Sequence, residues 1–224
     1  MEKTLLPDVA LPTDPMMDET AWIDPITAAS FRQIDQEIGP HPWQGIPYEI
    51  VRRAIHATAD FELRDRFVFS PTAVEAGLAA LRQRRPLVVD VRMVAAGIQA
   101  GLAAQGIPLH CALDWAEEPL EAGQTRTAQG MVKVARRYPE AIFVVGNAPT
   151  ALLALVEEMR AQRIRPSLVI GVPVGFVAVE EAKRALAQTD VPQIRVEGRK
   201  GGSPVAAAIV NALLLAARRD PIPN

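Results

Sequence analysis

From Pro86 onward the chain switches between two hydrophobic periods, and few folds accommodate that alternation. Short runs rich in β-branched residues begin at Pro86-Leu-Val-Val-Asp-Val and recur at 107–113, 141–145, 168–172 and 193–196. Between them, segments 93–104, 126–138, 150–163, 179–188 and 204–218 carry apolar residues at helical spacing. A strand, a crossover helix and a parallel strand connect in a right-handed sense, so the pattern predicts a doubly wound, mostly parallel five-stranded α/β sheet covered on both faces.

Sheets of this kind bind ligands beyond the carboxyl ends of their strands. That rule selects 90–97, 146–150, 171–176 and 197–204, each rich in glycine or polar groups. Gly146-Asn-Ala-Pro-Thr should bend strand into helix, with Asn147 or Ala148 as cap and Pro149 at the entrance, leaving backbone N–H groups aimed at an acceptor. Gly198-Arg-Lys-Gly-Gly-Ser-Pro is the most anion-directed stretch: its glycines allow close backbone approach, and Arg199, Lys200 and Ser203 add donors. It follows neither the Gly-x-x-x-x-Gly-Lys-Ser/Thr nor the Gly-x-Gly-x-x-Gly order, so a carboxylate suits it at least as well as a phosphate. A structural turn with solvated charges is the other reading.

The N-terminal third is helical in pattern. Residues 1–24, with Pro7, Pro12 and Pro15, are read as an extended arm, and 25–224 as one domain. From Pro25, the residues Ile26, Ala29, Ile34 and Ile38 are spaced for one buried stripe, and Gly39-Pro40 ends the helix. Ser30 on it either bonds its own backbone or points a hydroxyl into a site. Phe67-Val-Phe-Ser-Pro leads into a third helix with Ser70 as its expected N-cap. The helix between them reads Val51-Arg-Arg-Ala-Ile-His-Ala-Thr-Ala-Asp-Phe-Glu, and places Arg53 and His56 on one face. Histidine can exchange a proton near neutrality, and a neighbouring guanidinium can grip a carboxylate with two parallel hydrogen bonds. A buried or capping histidine beside solvated arginines is the alternative.

Composition narrows the chemistry. A net charge of −2 gives no broad basic footprint for nucleic acid. Cys111 is the only cysteine, which excludes an intrachain disulfide, and it joins His41, His56 and His110 in no metal-ligand spacing, so no metal site is expected. A Gly-x-Ser-x-Gly elbow is absent, which disfavours serine hydrolysis. The opening residues lack a secretory pattern, and no apolar run reaches the roughly 20 residues that span a bilayer. A cytoplasmic protein without membrane or nucleic-acid partners is the expectation.

Taken in order, the 51–62 run, Asp90-Val-Arg-Met-Val-Ala-Ala-Gly-Ile, Thr125-Arg-Thr-Ala-Gln-Gly-Met, Val145-Gly-Asn-Ala-Pro-Thr-Ala-Leu, Gly171-Val-Pro-Val-Gly-Phe-Val and Gly198-Arg-Lys-Gly-Gly-Ser-Pro resemble precorrin-8X methylmutase. The likeness extends from about Pro25 to Arg218. It implies a homodimeric enzyme of corrin synthesis with a flavodoxin-like sheet. The implied reaction moves the C-11 methyl of a tetrapyrrole, precorrin-8X or its cobalt form, to C-12, giving hydrogenobyrinate or cobyrinate, with no redox or methyl-donor cofactor. By the same resemblance His56 is the catalytic general acid, Ser30 and Arg53 contact the substrate, and Arg126 stands beside them. Thr127 and Gln129 occupy positions where the family has small residues. Arg199 and Lys200 are added as substrate contacts from the chemistry of their loop. Two other classes fit the residues alone: a nucleotide-dependent transferase using 146–150 or 198–203, and a non-catalytic tetrapyrrole carrier.

Overall fold

The computed structural model describes residues 24–120 and 123–219, so the expected arm falls outside the described residues apart from Asp24. Asp24 is a helix cap: its carboxylate accepts from the N–H groups of Ile26 and Thr27, both at 3.0 Å, at the start of α1 (Pro25–Glu37). Pro25 fits the first turn, where its missing N–H costs nothing. Helix α2 (Gly45–Thr58) runs back antiparallel to α1, with Tyr48 and Arg52 meeting Asp35 and His56 meeting Phe31 further along.

A 3-10 turn (Phe61–Asp65) leads to β1 (Phe67–Phe69), α3 (Ala73–Arg82), β2 (Leu87–Val89), α4 (Arg92–Ala103) and β3 (Leu109–Cys111). Then follow α5 (Arg126–Arg137), β4 (Ile142–Val145), α6 (Pro149–Arg160), β5 (Leu168–Gly171), α7 (Val179–Ala187), β6 (Gln193–Val196) and α8 (Ser203–Arg219). The sheet order is β1-β6-β5-β4-β2-β3, and β2 to β6 are mutually parallel. Without β1, this is the 2-1-3-4-5 order of flavodoxin-like folds, whose reversal of direction lies between β2 and β4.

The sheet has six described strands rather than five, because Phe67–Phe69 pairs antiparallel with β6. Three residues are too few to display a period. Ser70 is likewise not the cap of α3. Its hydroxyl accepts the Gln193 N–H at 2.9 Å, and its own N–H donates to the Gln193 carbonyl at 2.9 Å, so both groups extend the β1–β6 pairing.

Alternation along each strand sends side chains into two cores. Leu87, Val89, Ile142, Val144, Ile170 and Ile194 pack with α1, α2, α3, α4 and α8, whereas Val88, Phe143, Val145 and Val169 pack with α5, α6 and α7. Each such side chain contributes about 1.5–3 kcal/mol on burial, and a one-residue slip would exchange the two faces. Helix α8 lies close against the sheet because Gly146 leaves room: a Cβ there would come within 2.9 Å of the Ala206 methyl and 2.8 Å of Val94.

Candidate active site

Two helices and four strand-end loops build the site, and Phe31 is its hub on the helical side. Buried in the stripe of α1, its ring receives the edge of the His56 imidazole at a centroid distance of 5.3 Å and 80° between planes. The guanidinium of Arg53 lies 5.3 Å from the same ring, and that of Arg52 lies 4.6 Å from it. A cation over a ring face is attracted by its quadrupole. The expected pairing of Arg53 with His56 on one face is present, while Arg52 turns to Asp35 at 3.0 Å and over the Tyr48 ring.

Arg53 is half-buried, and burial first, then the neighbouring Arg52, pulls its pKa down from the ordinary guanidinium value. It lines a groove of about 220 Å³ with Gly101, Gln105, Asn211 and Arg218. His56 is exposed, and among the described residues its ring nitrogens make no hydrogen bond. They are uncommitted and open to a ligand.

The turn that follows His56 is locked. Thr58 donates its hydroxyl to the Ala54 carbonyl at 2.8 Å, and Ala59 ends α2 in the left-handed region at φ +54°. An alanine held there stores roughly 1–2 kcal/mol of strain that the surroundings must offset. Asp60 comes next, and the Lys200 ammonium reaches it at 2.7 Å and Glu62 at 2.9 Å. Those hydrogen bonds push the lysine's pKa up. The end of α2 thereby meets the β6–α8 loop at the carboxyl edge of the sheet.

Lys200, expected as a free cation for substrate, has its charge held by two carboxylates. Its acidic partners lie about 140 residues away in sequence, beyond the reach of local pattern. Arg199 is more open: it approaches Glu180 at 3.4 Å and lies 5.6 Å from the Phe176 ring. Ser30 donates its hydroxyl to the Ile26 carbonyl at 3.0 Å, the first of its two readings.

Arg126 starts α5, on the opposite face of the sheet from α2, and is exposed. Thr125 caps that helix by accepting the Ala128 N–H, and its hydroxyl meets those of Thr127 at 3.1 Å and Thr150 at 2.8 Å. Both departures from small residues therefore have local work: Thr127 joins this hydroxyl cluster, and Gln129 accepts the Glu117 N–H at 2.7 Å.

The 146–150 turn differs from expectation. Asp90 at the end of β2 is fully buried, and its carboxylate accepts the N–H groups of Gly146, Asn147 and Ala148 at 3.1, 2.7 and 2.7 Å. Burial pushes its pKa up and the three donors pull it back. The crevice at the β2–β4 reversal thus already contains its acceptor, and a phosphate there would meet a carboxyl group instead of free donors.

Apolar groups crowd the same edge. Met93 in the first turn of α4, and Val174, Phe176 and Val177 between β5 and α7, are all exposed, Phe176 to 85%. Ile26, expected with Ala29 in the buried stripe of α1, instead projects from its first turn, and both are exposed, because only the Phe31, Ile34 and Ile38 side of the helix is buried. Sequence pattern does not single these residues out, because their exposure depends on how the elements pack.

Residues 25–216 match the family described as precorrin-8X methylmutase. A cobalt-precorrin-8 methylmutase from Synechocystis sp. is 47% identical over 212 residues, spanning 88% of this chain and 97% of that protein. One from Priestia megaterium is 42% identical over 200 residues, spanning 86% and 87%. The crystal structure of precorrin-8X methyl mutase from Thermus thermophilus has a TM-score of 0.79 and 45% identity, covering 88% of this chain and 99% of that one.

Proposed function

The chain belongs to the precorrin-8X methylmutase family and is an isomerase of cobalamin biosynthesis, and from that premise we propose that it moves the C-11 methyl of its tetrapyrrole to C-12 with His56 as general acid. The substrate is precorrin-8X or cobalt-precorrin-8, the latter being named for the Synechocystis and Priestia relatives. The products are hydrogenobyrinate or cobyrinate.

A 1,5-sigmatropic methyl shift breaks and forms carbon–carbon bonds within one conjugated system. The protein must therefore hold the macrocycle and polarise it, without supplying a redox or methyl-donor group. When His56 donates a proton or hydrogen bond to a ring nitrogen, it withdraws electron density as the methyl migrates, help typically worth about 10²- to 10⁴-fold. The observation that carries this reading is the exposed, uncommitted imidazole held edge-on by Phe31 beside Arg53.

The rest of the edge suits such a substrate. Its flat apolar faces match Ile26, Met93, Val174 and Phe176, and its acetate and propionate arms call for Arg53, Arg126 and Arg199. Ser30 retains acceptor capacity for a polar arm. Lys200 contributes by shaping its loop against Asp60. We further assign the working form as a homodimer in the cytoplasm.

Incubation of the purified protein with metal-free and with cobalt-containing substrate, followed by absorption spectroscopy, tests this. The chromophore should convert without any added nucleotide or S-adenosylmethionine. Conversion that requires either additive would favour a transferase. Tight binding without conversion would leave a carrier.

A further inference from the structure

Lys183 on α7 is buried to 1% exposure, an unusual place for an ammonium group, and it lies behind the proposed substrate edge. Its Nζ donates to the Gly198 carbonyl at 2.8 Å and to the Lys200 carbonyl at 2.6 Å. Between them the Arg199 carbonyl accepts the Gly175 N–H at 3.2 Å, so three successive carbonyls of the β6–α8 loop point inward to fixed donors. Gly202 donates to the Val172 carbonyl at 2.8 Å, and Gly201, at φ +143°, has no room for a Cβ, which would fall 2.3 Å from the same oxygen. The outward product of this arrangement is the Lys200 side chain, aimed at Asp60 four residues beyond His56.

We propose that Lys183 is a positioning residue for the isomerase: its buried ammonium sets the 198–202 loop and, through the Lys200–Asp60 bridge, the end of α2 that carries His56. The kinetic half of this inference rests on the role given to His56 above; the mechanical half does not. An apolar side chain would fill the same space without the desolvation burden, so the charge has a use in ordering the carbonyls. Glu197 and Glu180 favour that charge and Arg195 opposes it, while burial, the strongest influence, lowers its pKa to about 8. A deprotonated amine still has two N–H groups for the two carbonyls, but bonds to them without charge assistance.

Hydrogen exchange read by mass spectrometry on Lys183→Met, Lys183→Arg and Lys200→Met separates the links. Lys183→Met should speed exchange in peptides spanning 198–202 and 59–63, with the β4 and β5 peptides unchanged. Lys183→Arg, which keeps the charge, should restore part of the protection and covers the case in which Lys183→Met fails to fold. Lys200→Met should loosen 59–63 alone. In turnover, Lys183→Met should lower kcat about ten- to hundredfold with a smaller change in KM, as expected for displaced geometry. Acceleration spread evenly over the core strands, or an unchanged 59–63 peptide in Lys183→Met, overturns the positioning role. If His56→Ala keeps its turnover while the exchange pattern holds, the catalytic reading has failed and the mechanical coupling has not.

Discussion

The imidazole of His56 stands edge-on to the ring of Phe31, 5.3 Å between centroids and 80° between planes, and the same ring carries Arg53. One buried phenyl thus contacts both the proposed proton donor and the guanidinium proposed to hold a carboxylate arm. Phe31→Leu keeps an apolar filler but removes the quadrupole, so turnover should fall more than stability. Phe31→Ala should in addition cost about 3–5 kcal/mol in chemical denaturation, the usual penalty for deleting a core aromatic. Equal activity in Phe31→Leu and wild type would show that the ring does not orient His56.

Arg53→Ala and Arg199→Ala should act mainly on binding. On the proposed reading each removes one charge-assisted contact worth about 1.5–3 kcal/mol, to a carboxylate arm remote from the methyl proposed to migrate. Product retains those arms, so titration calorimetry should show substrate and product weakened by similar factors. Undiminished affinity for product in both variants would place these arginines outside the site.

Much of the fold was legible because alternation and helical spacing are local. The five parallel strands and the helices between them follow from period alone, and so does the shared face of Arg53 and His56. What escaped depends on partners far apart in sequence or on elements too short to show a period. β1 has three residues, Asp90 meets its donors 56–58 residues on, and Lys200 finds Asp60 across 140 residues. Lys183 sits among Glu180, Glu181 and Arg184, and only the tertiary packing of α7 under the strand-end loop reveals it as buried. The 146–150 turn was recognised as a donor-rich helix entrance, but its acceptor is supplied by the chain itself.

Acid stability should depend on Glu158, a nearly buried carboxylate gripped by Arg163 and Arg136 at 2.8–2.9 Å. Those two guanidinium groups hold its pKa down at about 2, against an ordinary 4.5. A depressed carboxyl stabilises the fold fully above the unfolded value and loses that contribution as pH falls from about 4.5 toward 2. Glu158→Gln should reduce stability at neutral pH by about 1.5–3 kcal/mol and flatten the decline between those pH values. Parallel denaturation curves for variant and wild type across that range would remove the ion pairs from the account.

Lys183 predicts the opposite limb. Its pKa is lowered from 10.5 to about 8 in the fold, so between those values the unfolded chain binds the extra proton, and folding stability gains from this group as pH rises. Urea denaturation at pH 7.5 and 10 should show that gain in wild type relative to Lys183→Met. An identical change with pH in both proteins would mean that Lys183 titrates normally.

The account stands most directly on single-turnover conversion by His56→Ala, with bound tetrapyrrole followed by stopped-flow absorption. The variant should bind substrate with affinity close to wild type, because the arginines and the apolar edge remain, and should convert it about 10²- to 10⁴-fold more slowly. A conversion rate within a few-fold of wild type would contradict the assignment of His56 as the proton donor.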